Sequence, residues 1–322
     1  MTLKELAKLA NVSQSTVSKA FSNANDISTE TREHIFRVAK EHQCYEKFHK
    51  GNYFKKIVAI ICPEIKSEAY HRIVTHLETL LTEMGISVVL SISNFSSDTE
   101  EALFYYHAHY QKVDGILIVG SSNTYKDEST IPTVHIKATS PRDSNVISAN
   151  RQNAINDAVK YLTDMGHRKI AFIGDPMTDS KKASFLRAMQ RWLLPIQNEY
   201  IITSVNRFEK GGYEGMEKLI ALPKPPTAII TAYDYMAFGA LKCIRDHGLS
   251  VPDDFSLIGQ DNVELSSYSE PSLTSISYSC KEQCELAVQL LQKKMRNAVG
   301  TNTSIESPPS TLVIRDSVKK IN

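Results

Sequence analysis

The chain has 322 residues, a length that excludes a single small domain and indicates two or three domains. Hydrophobic residues make up 42% and charged residues 23% of the chain, which excludes a largely disordered protein. The net charge is only +1, but residues 1–56 carry ten Lys/Arg against six Asp/Glu, whereas the remainder carries 27 against 30. A basic amino-terminal end therefore precedes a slightly acidic body.

Residues 2–23 predict a helix, a tight turn and a second helix. Thr2 and Glu5 have the spacing of a capping box, which starts the first helix. The apolar stripe of this helix is predicted to face the second helix and comprises Leu6, Leu9 and Ala10, with Ala7 small enough for a close crossing.

The second helix follows the turn at Asn11-Val12, and Ser13 can cap it. Val17, Ala20 and Phe21 face back toward the first helix. The residues left outside are short and polar apart from one base, namely Gln14, Ser15, Thr16, Ser18 and Lys19. A helix that enters the DNA major groove requires such a surface, so the pattern favours a helix-turn-helix. An ordinary helical hairpin with a polar outer face is the alternative.

A third helix is predicted from its cap at Ser28 to about His42. Its apolar residues Ile35, Val38 and Ala39 close a three-helix core. Because about 45 residues bury little apolar surface, this head is expected to depend partly on DNA and on a dimer mate.

A linker follows at residues 46–56. Its lysines at 47, 50, 55 and 56 are expected to contact phosphates. Its aromatic residues Phe48, Tyr53 and Phe54 can either wedge between DNA bases or pack on the body, and packing on the body is the favoured expectation.

From Lys56 onwards, apolar strands alternate with helices. The predicted strands are 57–62, 86–93, 113–119, 133–136, 146–148, 169–173, 200–205, 227–231 and 255–259, and the predicted helices are 70–84, 98–111, 153–165, 184–193, 213–222 and 236–247. Continuous apolar strands between helices indicate parallel sheets covered on both faces. The pattern forms two units, which predicts two lobes and a ligand cleft beyond the carboxyl ends of the strands.

Residues 2–23 resemble the headpiece of the lactose/galactose repressor (LacI/GalR) family, through the V-S-x-x-T-V-S-[RK] core present at residues 12–19. Three further runs resemble the same family: GHRKIAFIG at 166–174, the segment 226–240 and VPDDFSLIGQDN at 251–262. The resemblance covers nearly the whole chain and implies a body similar to periplasmic sugar-binding proteins. The Ala-Arg-x-Leu hinge segment that relatives usually carry is missing from this linker.

The expected fold is therefore an α/β protein with a small all-α headpiece and a two-lobed, periplasmic-binding-protein-like body built on two parallel sheets. The expected domains are a helix-turn-helix head at 1–45, a linker at 46–56 and a body at 57–322. Within the body, lobe 1 is expected to comprise about 57–148 and 279–308, and lobe 2 about 149–278 and 309–322.

The expected DNA contacts lie in the head and linker. Gln14, Ser15 and Lys19 are predicted to read base edges, because Gln suits adenine and Lys suits guanine. The whole expected set comprises Thr2, Ser13, Gln14, Ser15, Thr16, Ser18, Lys19, Asn23, Lys47 and Lys50.

Three residues lead the candidates for effector binding. Asp261 directly follows a buried strand, and the resemblance implies that it anchors ligand hydroxyls or a ring nitrogen; capping of the next turn is the alternative. Lys181 stands where relatives usually carry an arginine that clamps the effector. Tyr70 matches a position where an aromatic ring stacks on the effector.

Further candidates are more ambiguous. Asp234 either contacts the ligand or caps the helix that follows it. Phe208 and Tyr213 match the family's F-x(4–5)-Y stretch, which implies an apolar wall at Phe208 and a core position at Tyr213. Asn150, His135 and Tyr233 are weaker candidates, each expected to be mainly structural.

No G-x-S-x-G, HExxH, P-loop or Gly-rich dinucleotide motif occurs, so neither an enzyme nor a cofactor or metal is expected. Five cysteines include Cys280 and Cys284, which share one face if the segment is helical; buried thiols are favoured over a metal or redox pair. The chain has no apolar amino-terminal run and no stretch of about 18 apolar residues, so a cytoplasmic location is expected.

The sequence thus predicts a homodimeric repressor that binds a pseudo-palindromic operator and is controlled by a small effector, first of all a sugar such as a galactoside. A purine, phosphosugar or partner protein as effector, an activator, and a sugar-binding transport protein are the alternatives.

Overall fold

The computed structural model describes residues 1–22, 24, 26–48, 56–120, 131–137, 146–148, 151–296 and 310–321. The chain divides into two compact units, Met1–Lys55 and Lys56–Asn322. The first unit is called the head and the second the body.

The head contains four helices: α1 (Leu3–Leu9), α2 (Gln14–Phe21), α3 (Thr29–Glu41) and α4 (Tyr45–Phe48). Polar side chains start the first three, because the first amides of a helix lack partners within it. Thr2 and Glu5 form the capping box of α1, Ser13 accepts from Thr16 N–H at α2, and Ser28 accepts from Thr31 N–H at α3. All three predicted caps are confirmed.

The head core is formed by one face of each helix. Leu6, Val17 and Ile35 are fully buried at its centre, together with Ala7, Ala10, Ala20, Phe21, Val38 and Ala39. The predicted core position of Leu9 is wrong, because its side chain is 47% exposed. Leu6, Ala7 and Ala10 lie on the inner face of α1, and Leu9 points about 60° to one side of Leu6 and further from Ala7 and Ala10.

The helix α4 extends this core beyond the predicted end of the head. Phe48 packs on Phe21 with ring centroids 5.9 Å apart, and Tyr45 packs on Phe21 and on Phe36. The expectation that Phe48 packs on the body is therefore wrong: the ring completes an aromatic cluster of the head. Tyr53 and Phe54 lie outside the described residues.

Lobe 1 of the body is built on a parallel sheet. Its strands are β1 (Lys56–Cys62), β2 (Ile86–Ile92), β3 (Gly115–Val119), β4 (Thr133–Lys137) and β5 (Val146–Ser148), in the order β2-β1-β3-β4-β5. Two helices, α5 (Glu68–Glu83) and α6 (Ser97–Tyr105), follow β1 and β2. The buried strand residues, such as Val58, Ile60 and Leu117, explain the apolar runs of the sequence.

The helix predicted at 98–111 changes character halfway. The α-helix ends at Tyr105, and residues Tyr106–Gln111 form a π-helix. The side chain of His107 in this π-helix is buried. Its Nε2 lies 2.8 Å from Ser91 Oγ on β2, and its Nδ1 lies 2.7 Å from Gln111 Oε1. The wider turn brings this polar ring inward onto the sheet, which the apolar periodicity does not reveal.

Lobe 2 is built on a second sheet. Its helices are α7 (Arg151–Asp164), α8 (Asp179–Arg191), α9 (Phe208–Ile220) and α10 (Asp234–Asp246), and its strands are β6 (Ile170–Gly174), β7 (Ile201–Thr203), β8 (Ala228–Thr231), β9 (Ser256–Gln260), β10 (Thr274–Ser277) and β11 (Thr311–Val313). The order is β11-β10-β9-β8-β6-β7, and only the pairing of β10 with β11 is antiparallel.

The chain moves between the lobes more than once. After β10 it forms α11 (Cys280–Met295), which packs in lobe 1 against α5 and the sheet, and β11 then joins the lobe 2 sheet. Leu291 of α11 lies directly over Gly115 of β3. The strand–helix alternation of the sequence does not predict β10 and β11.

Two glycines allow α9 and α10 to cross closely. A Cβ atom on Gly212 would lie 1.9 Å from the carbonyl oxygen of Met236, and one on Gly239 would lie 1.8 Å from that of Glu209. No side chain fits at either position, so the two backbones touch. This contact fixes the starts of both helices, which border the cleft described below.

All five cysteines are free and buried, as expected. None of the helices in the described part of the chain is both long and apolar enough to cross a membrane.

Candidate functional site

The polar face of α2 is the first candidate. Ser13, Gln14, Ser15, Ser18 and Lys19 are exposed, and Thr16 is half-buried. The hydroxyl of Ser13 is engaged with Ser15 and Thr16, each 2.7 Å away, so the amino-terminal end of α2 is organised before any partner binds. Thr2 is exposed at the start of α1. Asn23 lies outside the described residues.

Lys19 is held at the far end of this face. Its ammonium group forms an exposed ion pair with Asp26, and the hydrogen bond from Lys19 lowers the pKa of Asp26. Exposed pairs of this kind are weak because water screens them. Lys19 can therefore exchange Asp26 for another acceptor at small cost.

The structure describes two linker lysines, Lys47 and Lys56; Lys56 is exposed and begins β1. The Nζ of Lys47 donates to the Met1 carbonyl at 2.8 Å and lies 5.8 Å from the centroid of the Phe48 ring. It is exposed next to the start of α1. Lys50 lies outside the described residues.

The second candidate is the cleft where the carboxyl ends of the two sheets meet. Lys181, near the start of α8, and Asp261, directly after β9, are brought together as a buried ion pair with Nζ and Oδ1 3.3 Å apart. Lys181 also donates to the Ala232 carbonyl at 2.6 Å, and its ammonium lies over the rings of Tyr233 and Tyr278. Two of the predicted effector residues are therefore direct neighbours.

The backbone at this place adopts an unusual conformation. Phe208, Asp261 and Asn262 have φ angles of +55°, +100° and +47°, a region that side-chain-bearing residues rarely occupy. Arg315 supports the turn by donating to Asn262 Oδ1 at 2.7 Å and to the Leu273 carbonyl at 2.6 Å. Such conformations persist only where surrounding contacts enforce them, and they cluster at binding sites.

Asp234 has a different environment from Asp261. Its carboxylate is fully buried and accepts from Ser275 Oγ at 2.6 Å, Ser266 Oγ at 2.7 Å and Val263 N–H at 2.8 Å. Burial raises its pKa to about 7. These contacts hold the turn after β9, and the ligand role of Asp234 stays a prediction.

Lobe 1 supplies the opposite wall. Tyr70 is half-buried on the first turn of α5, against Gly120 and 6.1 Å from the exposed Phe95 ring. Phe208 is buried on the lobe 2 side, with Tyr233 stacked obliquely at 5.6 Å. Asn150 lies outside the described residues. Tyr213 packs on the lobe 2 core and donates to Asp246, away from these rings.

Several cleft residues were not among the predicted set. Arg72 of lobe 1 donates to the Asp261 carbonyl at 2.9 Å. Arg207 of lobe 2 donates to both oxygens of Glu64 in lobe 1, at 2.9 and 2.8 Å, and lies 3.5 Å from Asp175. Asp175 follows β6 as Asp261 follows β9, so its place at a strand end was a usable signal. Glu64 and Arg207 lie two residues beyond predicted strands and carried the same, weaker signal, but nothing in the sequence indicated that they pair.

Among the described residues, no group of His, Cys, Asp and Glu side chains has the arrangement of a metal site. The cleft instead combines charged groups with aromatic faces. Such a surface can bind a small polar molecule through hydrogen bonds and ring stacking.

Residues 2–45 match the family model of bacterial regulatory proteins of the lacI family, and residues 159–318 match that of a periplasmic binding protein-like domain. Together with the head and the two-lobed body, these matches define a DNA-binding transcriptional regulator with an effector-binding domain.

Two curated relatives cover the chain from end to end. The transcriptional repressor PurR of Mannheimia succiniciproducens is 31% identical and catabolite control protein A of Priestia megaterium is 30% identical, each over 99% of both chains. The chain therefore belongs to the lacI family of bacterial regulatory proteins.

Solved structures agree on the fold. The lac repressor dimer bound to operator and the anti-inducer ONPF has a TM-score of 0.73 at 21% identity, covering 99% of each chain. The complex of the regulator CelR with cellobiose has a TM-score of 0.69 at 23% identity, covering 98% of this chain and 99% of that one.

Proposed function

We propose that this protein is a homodimeric transcriptional repressor whose affinity for a pseudo-palindromic operator is set by a sugar bound in the cleft. The observation that carries the proposal is the convergence of Lys181, Asp261, Phe208 and Tyr233 at the carboxyl ends of the lobe 2 strands. A carboxylate beside aromatic faces binds sugars well, because hydroxyls donate to the carboxylate while the ring stacks on an aromatic face.

In this proposal Gln14, Ser15 and Lys19 read base edges in the major groove. The remaining polar residues of the head, Thr2, Ser13, Thr16, Ser18 and Asn23, hold phosphates together with Lys47 and Lys50. Lys19 leaves Asp26 when it meets guanine, which is consistent with the exposure of that pair.

The homodimer is proposed from the related lac repressor dimer and from an apolar surface of lobe 2. Leu265 and Tyr268 are exposed, 51% and 75%, immediately before the loop that forms a groove with the carboxyl half of α10. Phe238, Leu241 and Val251 line this groove. A second copy of the chain is the proposed occupant, because two such faces together would remove the exposed apolar area from water.

Sedimentation tests the dimer. Tyr268→Lys is expected to shift the protein to monomer and to weaken operator binding. Leu193 is 92% exposed at the end of α8, so Leu193→Lys is the matched control and should remain dimeric. A dimeric Tyr268→Lys protein would place the interface elsewhere.

The ligand acts only if it binds one arrangement of the lobes more tightly than the other. A thermal-shift screen against sugars, sugar phosphates and purines, followed by titration on operator DNA that the protein itself selects from random duplexes, tests this. A sugar that stabilises the body and weakens DNA binding supports the proposal. If a purine or phosphosugar has these effects instead, the protein remains an effector-controlled regulator, but the proposal that its effector is a sugar is refuted.

Asp261→Asn then locates the site. This variant is expected to bind the selected operator as the native protein does and to lose the response to the sugar. An unchanged response would remove Asp261 from the ligand site.

A further inference from the structure

Arg207 fills part of the cleft with its own side chain. Its two terminal nitrogens bind the two oxygens of Glu64 from the opposite lobe, at 2.9 and 2.8 Å, in the parallel geometry that suits a guanidinium and a carboxylate. Its Nε lies 3.5 Å from Asp175 Oδ2 of its own lobe. One cation thus lies between two carboxylates.

Three aromatic rings complete the surroundings of this cation. The guanidinium carbon lies 4.6 Å from the ring centroid of Phe208, 5.6 Å from that of Phe95 and 5.9 Å from that of Tyr233. All three distances are within the range of cation–π attraction. We call the set of Glu64, Asp175, Phe95, Phe208 and Tyr233 the cation box.

Arg207 does not satisfy all the hydrogen-bonding groups of the cation box. The Asp175 side chain is buried, and its Oδ1 accepts the Met177 N–H at 2.8 Å. Its Oδ2 makes no hydrogen bond in the described part of the structure, and neither does Nε of Arg207. A buried carboxylate oxygen without a donor is costly. A donor that reaches Asp175 more closely would therefore be favoured.

Within the part of the chain that the structure describes, the other cations near the cleft are engaged or exposed. Lys181 is neutralised by Asp261, and Arg72 binds backbone carbonyls. Lys66 is exposed, with its Nζ 5.3 Å from the centroid of the Phe208 ring, where water screens its charge. If Arg207 left the box, Glu64 and Asp175 would face each other without a close counter-charge.

We propose that the effector carries a protonated amine, as an amino sugar does, and that this amine replaces the Arg207 guanidinium between Glu64 and Asp175 while the sugar ring stacks on Phe208. The inference rests on the proposed function of the cleft and narrows its ligand class. A neutral ligand in the same place would leave the buried carboxylate of Asp175 and the half-buried carboxylate of Glu64 unpaired, and an anion would add a third negative charge. Arg207 is then an internal substitute for the ligand that holds the lobes together in its absence.

Complementation of a truncated side chain tests the box without knowledge of the natural ligand. In the full-length protein, Arg207→Ala should be stabilised saturably by methylguanidinium chloride in thermal denaturation, beyond the effect of equal sodium chloride. The native protein, whose box is filled, should respond less, and adding Asp175→Asn to Arg207→Ala should abolish the response. Equal responses of all three proteins would overturn the proposal.

Calorimetric titration of the native protein tests the ligand class. Glucosamine and galactosamine are compared with their N-acetyl forms, which lack the charge, and with glucose 6-phosphate and glucuronate. An amino sugar is expected to bind at least about tenfold more tightly than its N-acetyl form. Equal affinity of the two forms, or preferential binding of an anionic sugar, would contradict the proposal and would make Arg207 a ligand contact in its own right.

A second variant retains Arg207, so that the proposal can be tested even if Arg207→Ala does not fold. Glu64→Gln should weaken binding of the amino sugar, whereas Glu83→Gln, at the exposed end of the same lobe's α5, should leave it unchanged. If both substitutions changed amino-sugar binding equally, the proposed role of the cation box would be overturned. Because none of these measurements uses DNA, failure here leaves the DNA-binding regulator standing, and failure to bind DNA leaves these results interpretable.

Discussion

The polar face of α2 and the cleft of the body present their charges in opposite ways. The α2 face is exposed, and the ion pair of Lys19 with Asp26 is open to water. The cleft is lined with charges that already have partners, because Lys181 binds Asp261 and Arg207 binds Glu64. In the proposed function, DNA would therefore meet a surface that needs little rearrangement, whereas a ligand of the cleft would have to replace an internal partner.

This difference has an energetic meaning. An exposed ion pair contributes little to stability, and its cation can readily bind a different acceptor. The head is therefore suited to sampling many DNA sequences. A buried pair is costly to break on one side only, so a ligand that breaks it must supply an equivalent charge or donor. If the proposals hold, selectivity in the cleft comes from matching charge, and selectivity on α2 comes from matching base edges.

The largest expected effect is on the buried pair. Asp261→Asn leaves Lys181 charged and without its carboxylate, and asparagine tolerates the positive φ of this position. We expect a loss of about 3–5 kcal/mol in the free energy of unfolding of the body, measured by denaturant titration. The control is Asp164→Asn, which breaks the exposed pair of Lys160 and Asp164 and should cost less than about 1 kcal/mol. Similar losses of unfolding free energy in the two variants would contradict the difference between buried and exposed ion pairs.

The next effect concerns the small core beneath the α2 face. Leu6→Ala removes a fully buried side chain and should destabilise the head by about 2–5 kcal/mol, enough to unfold much of it. Calorimetry should show the body melting unchanged while operator binding is lost. Leu9→Ala, on the same helix but exposed, should bind normally. Loss of binding in both variants would mean that Leu9 has a role in the interface.

A smaller effect is expected for base reading. Gln14→Ala should cost about 1–3 kcal/mol at one base position of the operator and little elsewhere, because a bidentate contact to one base is lost. Affinities for a set of operators, each with one base pair changed, measure this. If affinity were weakened equally for all operators of the set, Gln14 would be a phosphate contact and not a base-reading residue.

The last prediction concerns the pH dependence of stability and the buried carboxylate of Asp234 in lobe 2. Burial raises the pKa of Asp234 from an ordinary value of 3.8 to about 7, so the folded protein holds this proton more tightly than the unfolded chain. Its contribution to stability is fully present below the unfolded pKa and is lost as pH rises through about 7. Unfolding free energy should therefore fall with rising pH more steeply in the native protein than in Asp234→Asn. Parallel pH profiles would show that Asp234 is already ionised at low pH.

The sequence reveals the two regions unequally for a physical reason. The caps Thr2, Ser13 and Ser28 act on amides two or three residues away, so local spacing predicts them. The alternation of apolar strands and helices likewise predicts the two sheets. Leu9 shows the limit of this reading, because periodicity alone does not choose between neighbouring apolar residues on a short helix.

The cleft depends on partners far apart in the chain. Lys181 and Asp261 are 80 residues apart, and Arg207 and Glu64 are 143 apart. Strand ends mark Asp261 and Asp175 as candidates, but the pairing of Arg207 with Glu64 follows only from how the lobes meet. Phe48 is a similar case, since its place in the head depends on the arrangement of Phe21 and Tyr45.

The return of α11 to lobe 1 also dictates the order in which the protein can be completed during translation. One face of the lobe 1 sheet is only partly covered, by α5, until Met295 has been made, after nearly all of lobe 2 has emerged. Lobe 2 gains its last strand only at Val313. At about 5–20 residues per second, the two lobes are finished within seconds of each other. A nascent or interrupted chain thus contains the complete sequence of its helix-turn-helix long before it has a finished body.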